Sequence, residues 1–247
     1  TGAVLAMGRS RFGAPTRVLM WAAALLVLLA SVWLDPILYH MANVGKDAIE
    51  WQAWYQVFRG MGTLWFWGAA GLAVGLVRRG AWRRRVRAAI WVFAAAVVAG
   101  LLAEALKALV GRERPILHDG STVFRSFSHL FWSTRNLSFP SSHAAVALGG
   151  AWMVWRLRGS LRGGACIGVL ALVAAGVCGA SRMLTGAHFF GDIVGAAIVG
   201  AVGATIVHRL LHPAVARRWP VVCLLRRRFG GTPGAGRSSA TPGTLQA

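Results

Sequence analysis

The sequence predicts an all-α, polytopic membrane protein with six transmembrane helices, and three observations carry that reading. Hydrophobic residues make up 56% of the 247-residue chain and charged residues only 14%, whereas a water-soluble domain carries roughly 25% charged residues. Apolar runs close to the ~20 residues that a spanning helix needs recur six times. The basic residues fall in short clusters between those runs, which is how a membrane protein marks its cytoplasmic loops. The net charge of +20 therefore reads as orientation in a bilayer and not as a nucleic-acid surface. Cys166, Cys178 and Cys223 are too few, and odd in number, for a disulfide scaffold.

The first run, residues 18–34, follows Arg9, Arg11 and Arg17. It is longer than the roughly 7 to 15 residues of a signal-peptide core, and no small-residue cleavage site follows before Asp35 and Pro36, so it reads as a retained helix. Trp51, Trp54, Tyr55 and Phe58 then recur at the spacing of an amphipathic helix, read as an aromatic belt in the headgroup layer. The remaining runs are 61–77, 88–110, 142–155, 164–180 and 189–211. The run at 142–155 is short and opens with Ser142 and His143, so its first turn is expected to line something polar. Six crossings put both termini on one side. That side collects 19 arginines, in the clusters 9–17, 78–87, 156–162 and 209–237, while all seven acidic residues fall on the other. The positive-inside rule makes the arginine-rich side cytoplasmic. The expected organisation is a basic cytoplasmic N-terminus (1–17), a six-helix transmembrane domain (18–211) and a basic, disordered cytoplasmic tail (212–247) whose Gly/Pro/Ser/Thr-rich end has no apolar periodicity.

Ionisable side chains at membrane depth are costly and usually functional. They gather at four helix ends: Glu104, Lys107, Arg112, Glu113 and Arg114 close the third helix, Ser141, Ser142 and His143 open the fourth, Ser181 and Arg182 close the fifth, and His188 and Asp192 open the sixth. Alternate helices run in opposite directions, so all four ends share one outward face. Lys107, Arg114 and Arg182 supply three positive charges suited to tetrahedral oxyanions, and two helix N-termini add unpaired N–H groups and a positive dipole end. Together they make a phosphate cradle. His188 and Asp192, four residues apart, allow the carboxylate to fix the imidazole tautomer, and an imidazole so held can attack phosphorus. His143 is then placed to protonate the departing oxygen, with Lys107, Arg114, Arg182 and the Ser141–Ser142 backbone meeting the developing charge.

Three stretches, KALVGRERP (107–115), PSSH (140–143) and SRMLTGAHFFGD (181–192), together resemble the signature of the type 2 phosphatidic acid phosphatase (PAP2) family, whose usual form is KxxxxxxRP, PSGH and SRxxxxxHxxxD. The spacings and order agree. The resemblance implies a bacterial membrane lipid phosphatase that works without a metal or other cofactor, through a phosphohistidine. It implies His188 as nucleophile, Asp192 as its orienting partner, His143 as general acid, and Lys107, Arg114, Ser141, Ser142 and Arg182 as phosphate ligands. Ser142 departs from the pattern, standing where the family most often has glycine.

Of the other polar residues, Glu104 is expected to pair with Lys107, three residues on, and Arg112 and Glu113 to be solvated. Arg125 and Arg135 lie in the long outer connection, within reach of a headgroup. His40, His118, His129, His208 and His212 read as caps or interface residues. A metal is disfavoured by the three cations nearby. The expected partner is a lipid phosphate or diphosphate, of the undecaprenyl diphosphate, phosphatidylglycerophosphate, phosphatidate or lipid A class. Phe124, Phe127, Phe131 and Trp132 are placed to touch its chain or the bilayer. The expected location is the plasma (inner) membrane with the site facing outward. Lipid-to-lipid phosphoryl transfer and non-catalytic anion or lipid transport are the competing readings.

Overall fold

The computed structural model describes residues 14–125 and 134–211. The expectations for the N-terminal arginines Arg9 and Arg11, for Phe127, His129, Phe131 and Trp132, and for the tail with His212 and Cys223 lie outside the described residues.

Among the described residues eight α-helices follow one another: α1 (Ala14–Ala42), α2 (Lys46–Ile49), α3 (Ala53–Gly60), α4 (Leu64–Val77), α5 (Trp82–Val110), α6 (Ser142–Leu157), α7 (Gly164–Leu184) and α8 (Phe190–Leu210). Among the described residues, β pairing is confined to isolated bridges. Residues 18–42 of α1, with α5, α7 and α8, are each long and apolar enough to cross a bilayer, and α3 and α4, bent by 73° across a short break, make a fifth such unit. The sixth expected segment, α6, has 16 residues, or about 24 Å of helix at 1.5 Å per residue, against a hydrocarbon core of about 30 Å.

The expected boundary of the first helix is corrected. Asp35 and Pro36 do not end it, because α1 runs on to Ala42 with Pro36 inside. A proline leaves one carbonyl of the helical ladder unbonded, which transmembrane helices tolerate. The reason for the continuation is a stripe of contact residues: Ser31, Asp35 and Tyr39, each a turn apart, are buried, while Leu19, Leu26 and Trp33 stand exposed at 66–77% of their surface. Helix α1 thus turns one narrow face inward and an apolar surface outward.

The core is built on small residues. Gly149 of α6 lies against Ala95 and Ala99 of α5, Gly200 of α8 against the Leu148–Gly149 backbone, and Gly203 of α8 against Ala99. Close approach of small residues is how membrane helices gain packing without a hydrophobic driving force. Trp67 of α4 covers Gly150, and its buried indole N–H donates to the Met61 carbonyl at 2.7 Å. This packing brings the end of α5, the start of α6, the end of α7 and the start of α8 to one end of the molecule. At the other end the α4–α5 and α6–α7 turns meet, where Arg79 N–H donates to the Ser160 carbonyl at 3.1 Å.

Candidate active site

Each site residue is placed by a helix terminus. Helix α5 stops at Gly111, whose left-handed backbone (φ 69°) lets its N–H return to the Lys107 carbonyl, a turn that suits glycine. The next residues run extended and are pinned by the outer connection: Glu113 N–H donates to the Val123 carbonyl, Arg114 N–H to that of Asn136, and Ser138 N–H to that of Arg112. Ser141 caps α6, its hydroxyl accepting the Ala144 N–H at 3.4 Å. Its own N–H donates to the Asp192 carbonyl at 3.2 Å, which locks the start of α6 to the start of α8. Beyond α7, Gly186 (φ 65°) turns the chain so that the buried His188 precedes α8.

Lys107, Arg114, Ser142, His143 and His188 line one cavity of about 480 Å³, together with Gly62, Glu104, Thr134, Arg135 and Val146. The two histidines therefore face the same space. Asp192 lies fully buried behind His188, its Oδ2 3.4 Å from His188 Nδ1 and accepting the Phe189 N–H at 2.8 Å. The His188–Asp192 approach lies at the outer edge of hydrogen-bond distance and is not an aligned bond. Burial pushes the His188 imidazole down to about 4, Asp192 opposes that shift, and Arg182 and Lys107 add to it. The ring is therefore neutral at ordinary pH, with its lone pair available.

Glu104 forms the expected ion pair, 3.1 Å from Lys107 Nζ. The same carboxylate oxygen also accepts a short hydrogen bond from the Ser142 hydroxyl. Ser142 sits in the first turn of α6 with ordinary helical backbone, so this position makes no demand for glycine's positive φ. Ser141 is engaged behind the cavity through both its hydroxyl and its N–H. The N–H groups of Ser142 and His143, both residues of the cavity wall, have no partner within the helix. Arg182 lines a neighbouring cavity and not the one that holds the histidines; Arg114 is on the wall of both.

The family model of the PAP2 superfamily matches residues 88–215, more than half of the chain. The chain belongs to the PAP2 superfamily. No curated protein matches it in sequence. Among solved structures it is similar to a transmembrane PAP2 type phosphatidylglycerolphosphate phosphatase from Bacillus subtilis, at 20% identity and a TM-score of 0.50, with 77% of this chain and 92% of that chain covered. The shared architecture is that of a helical membrane protein.

Within this PAP2 fold, Arg112 corrects the sequence reading. It is not solvated but 2% exposed. Its Nη1 lies 2.7 Å from Asp35 Oδ2 and 3.1 Å from Asp192 Oδ1, its Nη2 donates to Thr122 at 3.0 Å, and its guanidinium stacks 3.8 Å over the Phe189 ring. Asp35 in turn accepts the Gly191 N–H at 2.7 Å. One guanidinium thus ties α1, the end of α5 and the start of α8 together behind His188. Glu113 is likewise engaged, by His118 at 2.5 Å and by Arg125 Nε at 3.1 Å; the His118 hydrogen bond is the main cause that lowers its carboxyl pKa.

Sequence reading also missed Tyr55 and Gly62. Tyr55 is 2% exposed and its hydroxyl accepts Arg182 Nη1 at 2.6 Å, so the aromatic helix does more than ride in a headgroup layer. A Cβ on Gly62 would come within 2.6–2.9 Å of the His143 side chain, so glycine is what admits the imidazole there.

Proposed function

We propose that the protein is a membrane-embedded phosphatase that hydrolyses a lipid phosphate or lipid diphosphate, without a metal, through a phosphohistidine intermediate. The observation that carries this reading is the convergence of His143, His188, Lys107 and Arg114 on one cavity in a PAP2 chain. His188 Nδ1 faces Asp192, which leaves Nε2 to attack phosphorus. As the N–P bond forms, the P–O bond to the lipid breaks and His143 gives its proton to the departing oxygen. His143, now neutral, takes a proton from water. The resulting hydroxide attacks phosphorus, the N–P bond breaks, and inorganic phosphate leaves. Lys107, Arg114, Arg182 and the N–H groups of Ser142 and His143 would meet the charge on the equatorial oxygens, while Arg112 and Asp192 hold His188 in place.

In this reading six segments cross the membrane, α6 among them, with both termini cytoplasmic and the site at the extracytoplasmic face of the plasma membrane. The clustering of arginines at the opposite end supports that orientation. The chain divides into the basic N-terminus, the 18–211 membrane domain and the 212–247 tail.

The test is phosphate release by purified protein in detergent, on lipid monophosphates and diphosphates, with chelator present. Turnover should persist in chelator and stop with vanadate. His188→Ala should cost at least about 10³-fold in kcat, and acid-quenched protein should carry labelled phosphate on His188. Full activity in His188→Ala overturns the assignment. Loss of substrate without matching phosphate release would instead mark transfer to another lipid.

A further inference from the structure

Helix α1 lies outside the stretch that the family model matches, yet it meets the segment that carries His188 at several points. Just beyond its end, the Val44 and Gly45 N–H groups both donate to the Leu184 carbonyl, at 3.0 and 3.2 Å. The Tyr39 ring stands 6.2 Å from that of Phe189. One turn earlier, Asp35 Oδ1 accepts the Gly191 N–H at 2.7 Å. A Cβ on Gly191 would come within 2.8 Å of Asp35 Oδ2, so glycine between His188 and Asp192 is what admits this carboxylate. A helix that only filled space in the bilayer would not need a charged group there.

Charge balance gives that group a task. Asp35 and Asp192 are fully buried and Arg112 is 2% exposed. Arg112 Nη1 donates to Asp192 Oδ1 at 3.1 Å and lies 2.7 Å from Asp35 Oδ2. Both oxygens of Asp35 thus face N–H groups, which favours its ionised form. Two carboxylates share one guanidinium, and the trio carries one net negative charge. Without Asp35 the guanidinium would cancel Asp192 and leave a neutral pair behind the nucleophile. With Asp35 the negative charge survives, and Asp192 Oδ2 presents it to His188 Nδ1 from 3.4 Å. Away from water such a charge acts at close to full strength.

We infer that Asp35 is a positioning residue for the nucleophile: by balancing Arg112 it leaves Asp192 with an uncancelled charge facing His188. When Nε2 gives its electron pair to phosphorus, the ring keeps its Nδ1 proton and becomes positive. The electrons of the broken P–O bond leave on the lipid oxygen, which takes the proton of His143. The positive ring is what the Asp192 charge stabilises, so Asp35 speeds the step that forms the N–P bond. Lys107 and Arg114, the proposed phosphate ligands, stand outside the trio, and the effect therefore falls on kcat and not on KM. This inference rests on the phosphatase reading above and deepens it.

The experiment measures kcat, KM and melting temperature on a lipid monophosphate, with folded protein isolated by size exclusion, for the wild type, Asp35→Asn, Arg112→Gln and the double variant. Asparagine keeps an acceptor for the Gly191 N–H and loses only the charge. Glutamine likewise keeps a donor for Asp192. Asp35→Asn should lower kcat about 10- to 100-fold, the range for groups that orient a functional histidine from behind, with KM within about twofold of wild type. Removing the Arg112 charge as well frees Asp192 again, so the double variant should turn over about tenfold faster than Asp35→Asn. A purely structural brace predicts the reverse, a double variant slower than either single one. A kcat within about twofold of wild type in Asp35→Asn, or a double variant no faster than Asp35→Asn, overturns the inference. Should Asp35→Asn not fold, the double variant is compared with Arg112→Gln: an equal or higher kcat upholds the inference and a lower one overturns it. Absence of turnover in the wild type would overturn the phosphatase reading itself, a separate outcome.

Discussion

The two ends of the helix bundle use charge in opposite ways. At the end where the α4–α5 and α6–α7 turns meet, Arg78, Arg79, Arg83, Arg84, Arg85, Arg87, Arg156, Arg158 and Arg162 crowd together, and none of the seven acidic residues of the chain is there. One of them, Arg158, rests on an aromatic ring and backbone: its guanidinium lies 4.0 Å over Trp155 and donates to the Trp155 carbonyl at 3.0 Å. At the other end several of the cations are buried and individually matched. Glu104 holds Lys107, Asp35 and Asp192 hold Arg112, and Glu113 holds Arg125. The contrast separates charge as a label, for which number suffices, from charge as a part, for which position matters. Among the described residues, Arg114 and Arg182 of that end show no carboxylate partner, which suits the phosphate-binding role proposed for them.

The sharpest way to break that contrast is to remove a matched cation. Arg112→Ala leaves Asp35 and Asp192, both fully buried, without their shared counter-charge. Taking one partner from a buried ion pair costs about 3–5 kcal/mol. A large fall in the melting temperature of the detergent-solubilised protein is expected, with loss of turnover as the contact behind His188 is released. A melting temperature close to wild type would mean that the matched end tolerates unpaired charge as readily as the arginine end does.

A second test perturbs position while leaving every charge in place. In Gly62→Ala the new methyl group would overlap the His143 side chain, with contacts of 2.6–2.9 Å, so the imidazole must move. Misplacing a catalytic group by about 1 Å costs on the order of 10²-fold. The expected result is a fall of that size in kcat with the fold retained by circular dichroism. If kcat instead stays within twofold of wild type, His143 does not act from the position described.

Much of this site was legible in the sequence because its parts are local. Helix ends and the spacing from Lys107 to Arg114, Pro140 to His143 and Ser181 to Asp192 can be read along the chain, and five of the eight expected residues do meet at one cavity. What escaped depends on distance. Arg112 looked solvated because GRERP reads as a polar turn; its partner Asp35 lies on the first helix, and no local spacing links them. The signal was nonetheless present, since a lone carboxylate on an apolar helix requires a buried cation. The first apolar run was bounded at residue 34 because Asp35 and Pro36 interrupt it, and the buried stripe of α1 carries the helix on to Ala42. Nor does local spacing link Arg182 to Tyr55, on a helix read as a belt, whose hydroxyl accepts its Nη1.

The smallest effect is expected at the arginine end, and it completes the comparison. Arg83 and Arg84 are exposed, so the double variant Arg83→Gln/Arg84→Gln removes two of nine clustered charges without opening a cavity or orphaning a carboxylate. Surface changes of this kind stay within about 0.5 kcal/mol, and relief of repulsion among neighbouring guanidinium groups offsets part of that. Melting temperature and kcat/KM should both match wild type within error. Orientation should hold as well, because the remaining arginines still outnumber the basic residues across the membrane. A cysteine at Ser121 should react with an impermeant thiol reagent added to intact cells, and a cysteine at Ser160 should not. Loss of turnover in the double variant would show that the arginine end contributes to the chemistry, and labelling of the Ser160 position would reverse the membrane orientation on which an outward-facing site depends.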